Sequence, residues 1–163
     1  MSMNNNDKYI LAIDLGTSGP KAALVTTRGE VVDYEFQEVE LVLSPGGGAE
    51  QKPDEWWSAI LAVSKKVLAK RLVPVEDIAA VSSTTQWSGT VAIDRDGRPL
   101  MNAVICMDTR GCRYIDQITY GIFKVENFSI FKLQKWLRVT GGAPSHSGKD
   151  PIAQILYIKN ELP

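Results

Sequence analysis

Two short apolar segments separated by a glycine-rich turn constrain the fold of this chain more than any other feature. Residues Lys8–Asp14 and Lys21–Thr26 are each long enough for one buried strand, and the six residues between them leave no room for a helix. Strands joined by so tight a turn pair in antiparallel fashion, because a parallel pair needs a crossover of a dozen or more residues. The chain therefore begins with a β-hairpin and not with a strand–helix–strand unit.

The order of the later segments predicts an α/β protein with a mixed sheet and helices packed against it. Apolar residues recur at helical spacing after Pro53, which is favourable at the first position of a helix. Alternation, apolar runs and turn residues place the other elements as follows: a strand over 31–40, a flexible loop over 44–48, strands over 78–83, 91–94 and 103–107, a hairpin turn at 96–97, and a mostly helical region over 109–163 broken by a loop at 140–150.

The composition excludes several classes of protein. The 163 residues are 44% hydrophobic and 23% charged, with a net charge of −1, so the chain has no electrostatic footprint for nucleic acid or an anionic membrane. No apolar run approaches the ~20 residues of a transmembrane helix. Residues 1–7 are polar and Asn-rich, which predicts a disordered tail without a secretory signal and a cytoplasmic location.

The cysteine and histidine content argues against two further kinds of site. The chain contains two cysteines, Cys106 and Cys112, and one histidine, His146. Too few of these residues are present for a disulfide scaffold or a Cys/His zinc site. The cysteines are expected to be free thiols.

The turn at residues 14–21 (Asp-Leu-Gly-Thr-Ser-Gly-Pro-Lys) has the composition of a phosphate-binding loop. Gly16 and Gly19 let the backbone turn tightly and bring its N–H groups close to a phosphate. Thr17 and Ser18 add hydroxyl donors. Strand ends are also where a rigid sheet presents side chains to a ligand.

Two charged residues flank this turn. Asp14 is suited to hold Mg²⁺ directly or through water, since Mg²⁺ bound to phosphates uses few protein ligands. Lys21 adds a positive charge. The structural alternative is a glycine-rich hairpin in which the hydroxyl residues only form the turn.

Other segments have weaker claims to a function. Residues 143–150 lack the glycine spacing of a phosphate-binding P-loop and place Asp150 at its Mg²⁺-binding hydroxyl position, so we interpret them as a helix start, with a sugar-pocket loop as the alternative. His146 is expected to be an exposed loop residue. Residues 94–97 lack the downstream Glu of a calcium loop, and a hairpin turn accounts for them.

The four tryptophans fall into two groups. Trp56 and Trp57 are expected to pack in the core and at a helix edge, and Trp136, at helical spacing within FKLQKWLRV, is expected in the core. Trp87 follows an apolar strand in a turn, where a purely structural Trp is unusual. Core packing and ligand contact remain equal alternatives for its side chain.

The sequence resembles the FGGY carbohydrate kinases, especially the xylulokinase-like branch. The string IDLGTSGPKAAL at 13–24 is similar to the first phosphate-binding segment of that family. Residues 49–57 (AEQKPDEWW) resemble its "EQ-x-P-x-x-W" segment, and residues 81–111 resemble its strand, Gln-containing turn, hairpin and "D-x-R" segment. The three matches occur in the family's order over residues 8–111, and residues 140–163 resemble the following helical part more loosely.

This resemblance implies a truncated ribonuclease H-like domain of the actin, Hsp70 and sugar kinase superfamily, over residues 8–163. Two such domains enclose a cleft that holds MgATP and, deeper in, the sugar or polyol. It further implies that Asp14 acts on the metal-bound phosphates, that Thr17 and Ser18 contact the transferring phosphoryl group, and that Lys21 supplies a basic group. A homodimer is compatible with the resemblance.

The resemblance also implies a sugar-binding set. Gln86, Trp87 and Ser88 match the family's substrate turn, and Asp108 and Arg110 match its "D-x-R" pair. Xylulokinases tend to carry Met-His after the Gln, and glycerol kinases carry Arg-Glu, whereas this chain has Trp-Ser. An indole and a hydroxyl suit stacking on the C–H face of a sugar better than charged recognition.

The implied reaction is transfer of a phosphoryl group from MgATP to a sugar hydroxyl. In the family, the carboxylate that takes the hydroxyl proton lies well downstream, so the general base and the adenosine-binding domain are expected beyond Pro163, and this chain alone is expected to be inactive. One competing hypothesis is a non-catalytic sugar- or nucleotide-binding module built on half of the same fold. Another is an actin- or Hsp70-type ATPase, which the substrate-turn and "D-x-R" matches disfavour.

Overall fold

A computed structural model describes residues 8–162, so the tail expected at residues 1–7 lies outside the described part of the chain. The elements follow one another as β1 (Tyr9–Gly16), β2 (Gly19–Thr26), β3 (Val31–Phe36), β4 (Val42–Ser44), β5 (Gly48–Gln51), α1 (Pro53–Ala69), a 3-10 turn (Val75–Asp77), β6 (Ile78–Thr85), β7 (Ala103–Val104), α2 (Cys112–Thr119), β8 (Lys124–Val125), β9 (Phe128–Ser129), α3 (Ile130–Thr140) and α4 (Pro151–Glu161). These elements form two compact units, one of residues 8–41 and 52–87 and the other of residues 42–51 and 88–162.

The first unit is a four-stranded mixed sheet with one helix on it. The strand order is β3-β2-β1-β6, with β1 and β2 antiparallel and β1 and β6 parallel. The expected hairpin is confirmed, since the pairing of β1 with β2 runs to Gly16 opposite Gly19. β6 comes back parallel to β1 because α1 lies between the hairpin and β6 in the chain.

The core of the first unit lies between this sheet and α1. Leu11, Ala22 and Leu24 on one face of the sheet are buried together with Val63 and Val67 of the helix. Those helix residues lie four apart and so share one stripe of α1. The predicted helix is confirmed: it begins at Pro53, has Asp54 and Glu55 in its first turn and ends with Ala69.

The second unit is built from short strands and three helices. β5 pairs with both β4 and β7 in a three-stranded antiparallel sheet. Its buried residues include a run at the end of β7, namely Ala103, Val104 and Ile105, together with Ile115 of α2 and Ala153 of α4. The predicted break over 140–150 is confirmed, because α3 ends at Thr140, where Gly141 adopts a left-handed φ of 75°.

Several predicted elements need correction. The strand expected over 31–40 ends at Phe36, and the loop expected over 44–48 is the tight turn of the β4–β5 hairpin, where Ser44 pairs with Gly48. Residues 91–94 are not a strand: of these residues, only Ile93 forms an isolated bridge, with Pro99 across the turn at Gly97. The apolar run over 103–107 keeps strand geometry only at Ala103–Val104.

Two further differences concern the helical region. β8 and β9 form a hairpin that the sequence analysis did not separate from the helices, with Glu126 and Asn127 in left-handed conformation at its turn. Trp136 was expected in the core but is half-buried, and none of the residues of α3, within the described range, is buried. Trp56 is buried and Trp57 is 63% exposed, as expected for core and helix-edge positions.

Candidate functional site

The turn between β1 and β2 consists of two residues, Thr17 and Ser18, held between the paired glycines Gly16 and Gly19. Gly19 has a φ of 139°, a conformation that side chains rarely adopt. A Cβ atom at Gly19 would also lie 2.0 Å from the carbonyl oxygen of Gln37. Gly19 is therefore required both by its backbone conformation and by the close approach of another segment.

That segment, which follows β3, holds the turn in place. The N–H of Gln37 donates to the carbonyl oxygen of Pro20 at 3.2 Å, and the N–H of Val39 donates to that of Ser18 at 3.2 Å. The tip of the hairpin is thus fixed by backbone hydrogen bonds from the segment that follows β3. Ser18 is exposed and Thr17 is half-buried.

Asp14 and Lys21 lie opposite each other at the base of this turn. They are register partners in the β1–β2 pair, and Lys21 Nζ lies 3.9 Å from Asp14 Oδ2. Their side chains are 49% and 52% exposed, so both charges stay accessible to a ligand. On the other side of β1, Asp14 pairs with Thr84 of β6, which adds a hydroxyl-bearing residue to the same row.

These residues border an open cavity of about 680 Å³ on the face of the sheet opposite α1. Small and hydroxyl-bearing residues form its floor, so the backbone of the sheet can approach a ligand closely. The lining residues include Ala12, Asp14, Lys21, Ala23, Tyr34, Ser82 and Thr84. Asp14 and Lys21 are the residues predicted here from the sequence; Ser82 and Thr84 join them only through the pairing of β6 with β1, which the sequence does not show.

The donor set fits a metal ion that arrives with phosphates rather than a protein-enclosed metal site. Among residues 8–162, no group of three or more His, Cys, Asp or Glu side chains could hold a metal ion. A single half-exposed carboxylate, as at Asp14, is typical of Mg²⁺ sites in which phosphate oxygens and water supply the other ligands.

In the second unit, Asp108 and Arg110 form the centre of a buried polar cluster. Asp108 is 1% exposed, and its carboxylate accepts hydrogen bonds from the N–H of Ala49 (2.9 Å), from the N–H of Arg110 (2.9 Å) and from Arg110 Nε (2.9 Å). Arg110 also donates to Glu50 Oε1 at 2.6 Å and to the Tyr157 hydroxyl at 3.0 Å. The two "D-x-R" residues are therefore brought together.

The charge of Arg110 is fixed by this cluster. Burial by itself lowers the pKa of Arg110, but the hydrogen bonds to Asp108 and Glu50 outweigh it and hold that pKa above its ordinary value. Its guanidinium carbon also lies 4.5 Å from the centroid of the Tyr157 ring. All three nitrogens of the guanidinium have protein partners, so Arg110 is rigidly held.

Glu50 and Tyr157 were missed as members of this cluster. The sequence shows Glu50 only as part of the "EQ" string, and the signal that could identify it is a charge next to the small residues Gly48 and Ala49, just before the helix that begins at Pro53. Its other oxygen accepts a hydrogen bond from Asn102 Nδ2 at 3.1 Å. Gln51, beside it, is fully buried.

The predicted substrate turn, Gln86-Trp87-Ser88, crosses the boundary between the two units. The Trp87 side chain is 74% exposed, which removes core packing as its role, and Gln86 is half-buried. Ser88 adopts a φ of 56°, in the left-handed region that residues other than Gly, Asn and Asp rarely occupy. Its carbonyl oxygen accepts a 3.0 Å hydrogen bond from Gln154 Nε2.

Gln154 of α4 is a residue that sequence reasoning missed. Its side chain is buried, and its amide nitrogen also donates to the carbonyl oxygens of Ile105 (3.0 Å) and Lys149 (3.2 Å). Its amide oxygen accepts a 2.6 Å hydrogen bond from the Thr90 hydroxyl. One side chain therefore connects Ser88, the last residue of the predicted substrate turn, to the residue after β7 and to the loop before α4.

The segments given weaker roles have structural explanations. Asp150 accepts a hydrogen bond from the N–H of Ser145 and immediately precedes α4, which agrees with a helix start. His146 is 35% exposed, lies 3.4 Å from the Asp116 carboxylate and packs on Phe128. The Asp94 carboxylate accepts hydrogen bonds from two backbone N–H groups of its own turn, so a hairpin turn accounts for this residue without a calcium site. Both cysteines are free thiols.

Comparison with known proteins decides the family. A model of the FGGY family of carbohydrate kinases, N-terminal domain, matches residues 9–138, which is most of the chain. The chain belongs to this family. The resemblance in the turn at residues 14–21 and in the "D-x-R" segment is therefore part of a match that extends into α3.

The curated relatives include several bacterial glycerol kinases. The glycerol kinase of Halothermothrix orenii is 38% identical over 101 residues, which cover 61% of this chain and 20% of that protein. The glycerol kinase of Janthinobacterium sp. is 35% identical over 112 residues, which cover 68% of this chain and 22% of that protein. This chain spans about a fifth of the length of the curated relatives it matches.

Solved structures of sugar kinases share the fold. A ligand-bound xylulose kinase from Lactobacillus acidophilus matches with a TM-score of 0.74 and 25% identity, covering 94% of this chain and 29% of that one. A gluconate kinase from the same organism matches with a TM-score of 0.74 and 24% identity, covering 95% of this chain and 29% of that one. The predicted fold class, the actin/Hsp70/sugar kinase type, is confirmed.

Within residues 8–162, no helix combines the length and the apolar character needed to span a membrane.

Proposed function

We propose that this chain is the N-terminal part of a kinase that transfers the γ-phosphoryl group of MgATP to a hydroxyl of a sugar or polyol. The observation that carries the proposal is the fixed Gly16–Gly19 turn with Asp14 and Lys21 at its base, in a chain of the FGGY family. Phosphoryl transfer depends mainly on positioning and on electrostatic stabilisation, and a rigid turn between two strands provides both.

The turn residues have distinct proposed roles toward ATP. The hydroxyls of Thr17 and Ser18, with the backbone N–H groups near Gly16, bind oxygens of the transferring phosphoryl group. Lys21 adds positive charge where negative charge accumulates. Bound Mg²⁺ would neutralise phosphate charge, and Asp14 would hold it through one carboxylate oxygen or a water.

The sugar-binding set is proposed to comprise Gln86, Trp87, Ser88, Asp108 and Arg110. The exposed indole of Trp87 offers an apolar surface for the C–H face of a sugar. Asp108 and Arg110 form most of their hydrogen bonds within the protein, so we assign them mainly to shaping the wall of the sugar site. A pentulose such as xylulose is the acceptor we favour, and glycerol, the substrate named for the curated relatives, is the comparison compound.

No residue of this chain is proposed as the base. Asp14 lies with the phosphate-binding residues, where a carboxylate serves the metal and not the sugar hydroxyl. We assign the proton-accepting carboxylate and the adenosine-binding residues to a part of the full-length kinase beyond Pro163. A non-catalytic sugar- or nucleotide-binding module is the competing function, and a polypeptide without that carboxylate would favour it.

Substitution of Asp14 tests the proposal. In the full-length kinase we expect Asp14→Ala to lower kcat by about 100-fold or more, because one preorganised charge at the transferring group is lost. The free energy of unfolding should change little, since the side chain is half-exposed with its nearest cation 3.9 Å away. Glu38→Gln, at an exposed position after β3, is the matched control. A normal kcat for Asp14→Ala would refute the assignment.

A further inference from the structure

The segment over residues 120–140 carries a dense group of exposed large apolar side chains. It contains the β8–β9 hairpin and α3. No residue of α3 in the described range is buried, and only Leu133 and Trp136 are half-buried. A surface helix normally buries an apolar stripe of about 100° and exposes polar residues elsewhere, whereas α3 also exposes apolar residues. The exposed large apolar residues of the segment are Tyr120, Ile122, Phe123, Val125, Ile130, Phe131, Leu137 and Val139.

The hairpin and the helix contribute to the same part of the surface. The N–H of Ile130 donates to the carbonyl oxygen of Phe123 at 2.9 Å, so the base of the hairpin adjoins the first turn of α3. Phe131, Lys135 and Val139 follow one another at intervals of four residues and therefore lie in one stripe along the helix. Open grooves run beside this stripe, and Lys135 and Val139 border two of them.

The same segment is basic, in a chain whose net charge is −1. Glu126 is its one acidic residue, and its four cations are Lys124, Lys132, Lys135 and Arg138. None of these four cations forms an ion pair with another residue in the part of the chain that the structure describes. The net charge of the chain alone indicates no footprint for an anionic membrane, because it averages over this local excess of positive charge.

We propose that this segment binds the surface of a lipid bilayer that contains anionic lipids. The side chains of Ile122, Phe131 and Val139 enter the boundary between head groups and acyl chains, and the four cations contact the anionic head groups. Short interfacial elements combine these features, namely Lys and Arg next to large apolar residues. Each basic residue near an anionic membrane adds attraction. This proposal goes beyond the kinase function and does not depend on it.

Charge complementarity favours a bilayer over a second copy of this chain. In a two-fold symmetric dimer through α3, the same surface meets itself, so Lys132, Lys135 and Arg138 would face like charges. A nucleic acid would contact the cations, but its phosphates offer no apolar environment for Ile122, which is 92% exposed, or for Val139, which is 76% exposed. A bilayer surface accepts both kinds of side chain.

Co-sedimentation of the full-length protein with lipid vesicles tests this proposal. We expect the protein to bind vesicles of phosphatidylcholine with about 30% phosphatidylserine at least about 10-fold more tightly than vesicles of phosphatidylcholine alone. We also expect salt at about 0.5 M to weaken the binding, because it screens exposed charges.

Two variants test whether α3 makes the contact. We expect Lys135→Gln to weaken binding to the anionic vesicles about fivefold, with Lys65→Gln at an exposed position of α1 as the control that leaves it unchanged. We expect Phe131→Ala to weaken it about tenfold, because less apolar surface is withdrawn from water. Leu100→Ala, at a position that is 67% exposed outside the segment, is the matched control for Phe131→Ala.

Three outcomes would overturn the proposal. The first is that the full-length protein does not bind the anionic vesicles, or binds both kinds of vesicle equally. The second is binding that neither Lys135→Gln nor Phe131→Ala weakens. The third is a dimer, by light scattering, that Phe131→Ala dissociates, because the surface would then belong to a second copy. The measurement on the unmodified protein decides even if a variant fails to fold. Vesicle binding by a protein without kinase activity would refute the proposed function but support this proposal.

Discussion

At Gly19 the first hairpin lies directly against the segment that follows β3. We expect Gly19→Ala to lower the free energy of unfolding by about 3 kcal/mol, because strain at positive φ adds to a backbone displacement at Gln37. Gly29→Ala is the matched control: its φ is 89°, but nothing lies within 4 Å of the added Cβ, so strain alone should cost about 1 kcal/mol. Urea unfolding measures both, and equal losses would contradict the role given to Gln37.

Lys70, the C-cap residue that follows α1, allows a second test at the same scale. Its Nζ lies 2.6 Å from the carboxylates of Asp33 and Glu35. The hydrogen bond from Lys70 lowers the pKa of Asp33 below 3.8, and the hydrogen bonds to Asp33 and Glu35 raise the pKa of Lys70 above 10.5. The stability that the ionised Asp33 carboxylate contributes is therefore lost as the pH falls below 3.8. The stability that the Lys70 ammonium contributes is lost as the pH rises above 10.5.

We accordingly expect Lys70→Met to destabilise the protein most between about pH 5 and pH 10, with the difference from the wild type shrinking at both extremes. Unfolding by urea across this pH range measures it, with Lys65→Met at an exposed position of α1 as the control. A difference that grows toward pH 3 would show that the ion pairs do not act as described.

Among the helices, α4 carries a buried polar side chain, Gln154, that bonds several loops. Replacing Gln154 with Leu removes the hydrogen bonds that it makes with the carbonyl oxygens of Ser88 and Lys149 and with the hydroxyl of Thr90. The carbonyl oxygen of Ile105 still accepts the N–H of Asp108. We expect Gln154→Leu to cost about 2–3 kcal/mol of unfolding free energy, and Gln117→Leu at an exposed position of α2 to cost less than about 0.5 kcal/mol.

A second expectation concerns Ser88: in the full-length kinase, Gln154→Leu should raise KM for the sugar more than it lowers kcat.

The sequence predicts the elements whose signals are local. The β1–β2 hairpin, α1 and the turn with Asp14 and Lys21 follow from apolar runs, helical spacing and glycines that lie within a few residues of each other. Of the cluster around Arg110, only the pair of Asp108 and Arg110 could be predicted. Glu50 and Tyr157 lie 60 and 47 residues away from Arg110 in the sequence, so no local pattern indicates them. Long-range pairing also explains why Thr84, opposite Asp14 through the β1–β6 register, was missed.

The molecule consists of two units with different candidate sites. The first unit presents the turn with Asp14 and Lys21, proposed to bind phosphate, at one end of a four-stranded sheet, and the second unit contains the buried cluster of Asp108 and Arg110. The chain spans about a fifth of the curated relatives, and under the proposed function the proton-accepting carboxylate belongs to another part of the kinase. We therefore expect residues 1–163 alone not to turn substrates over.

The most direct test of the central claim is a coupled assay of ADP formation with MgATP and a panel of pentuloses, sugar acids and glycerol. We expect steady, sugar-dependent ADP formation by the full-length protein and none above background by residues 1–163. Failure of the full-length protein to phosphorylate any sugar or polyol would contradict the kinase function. Steady sugar-dependent turnover by residues 1–163 would contradict the assignment of the base to another part of the polypeptide.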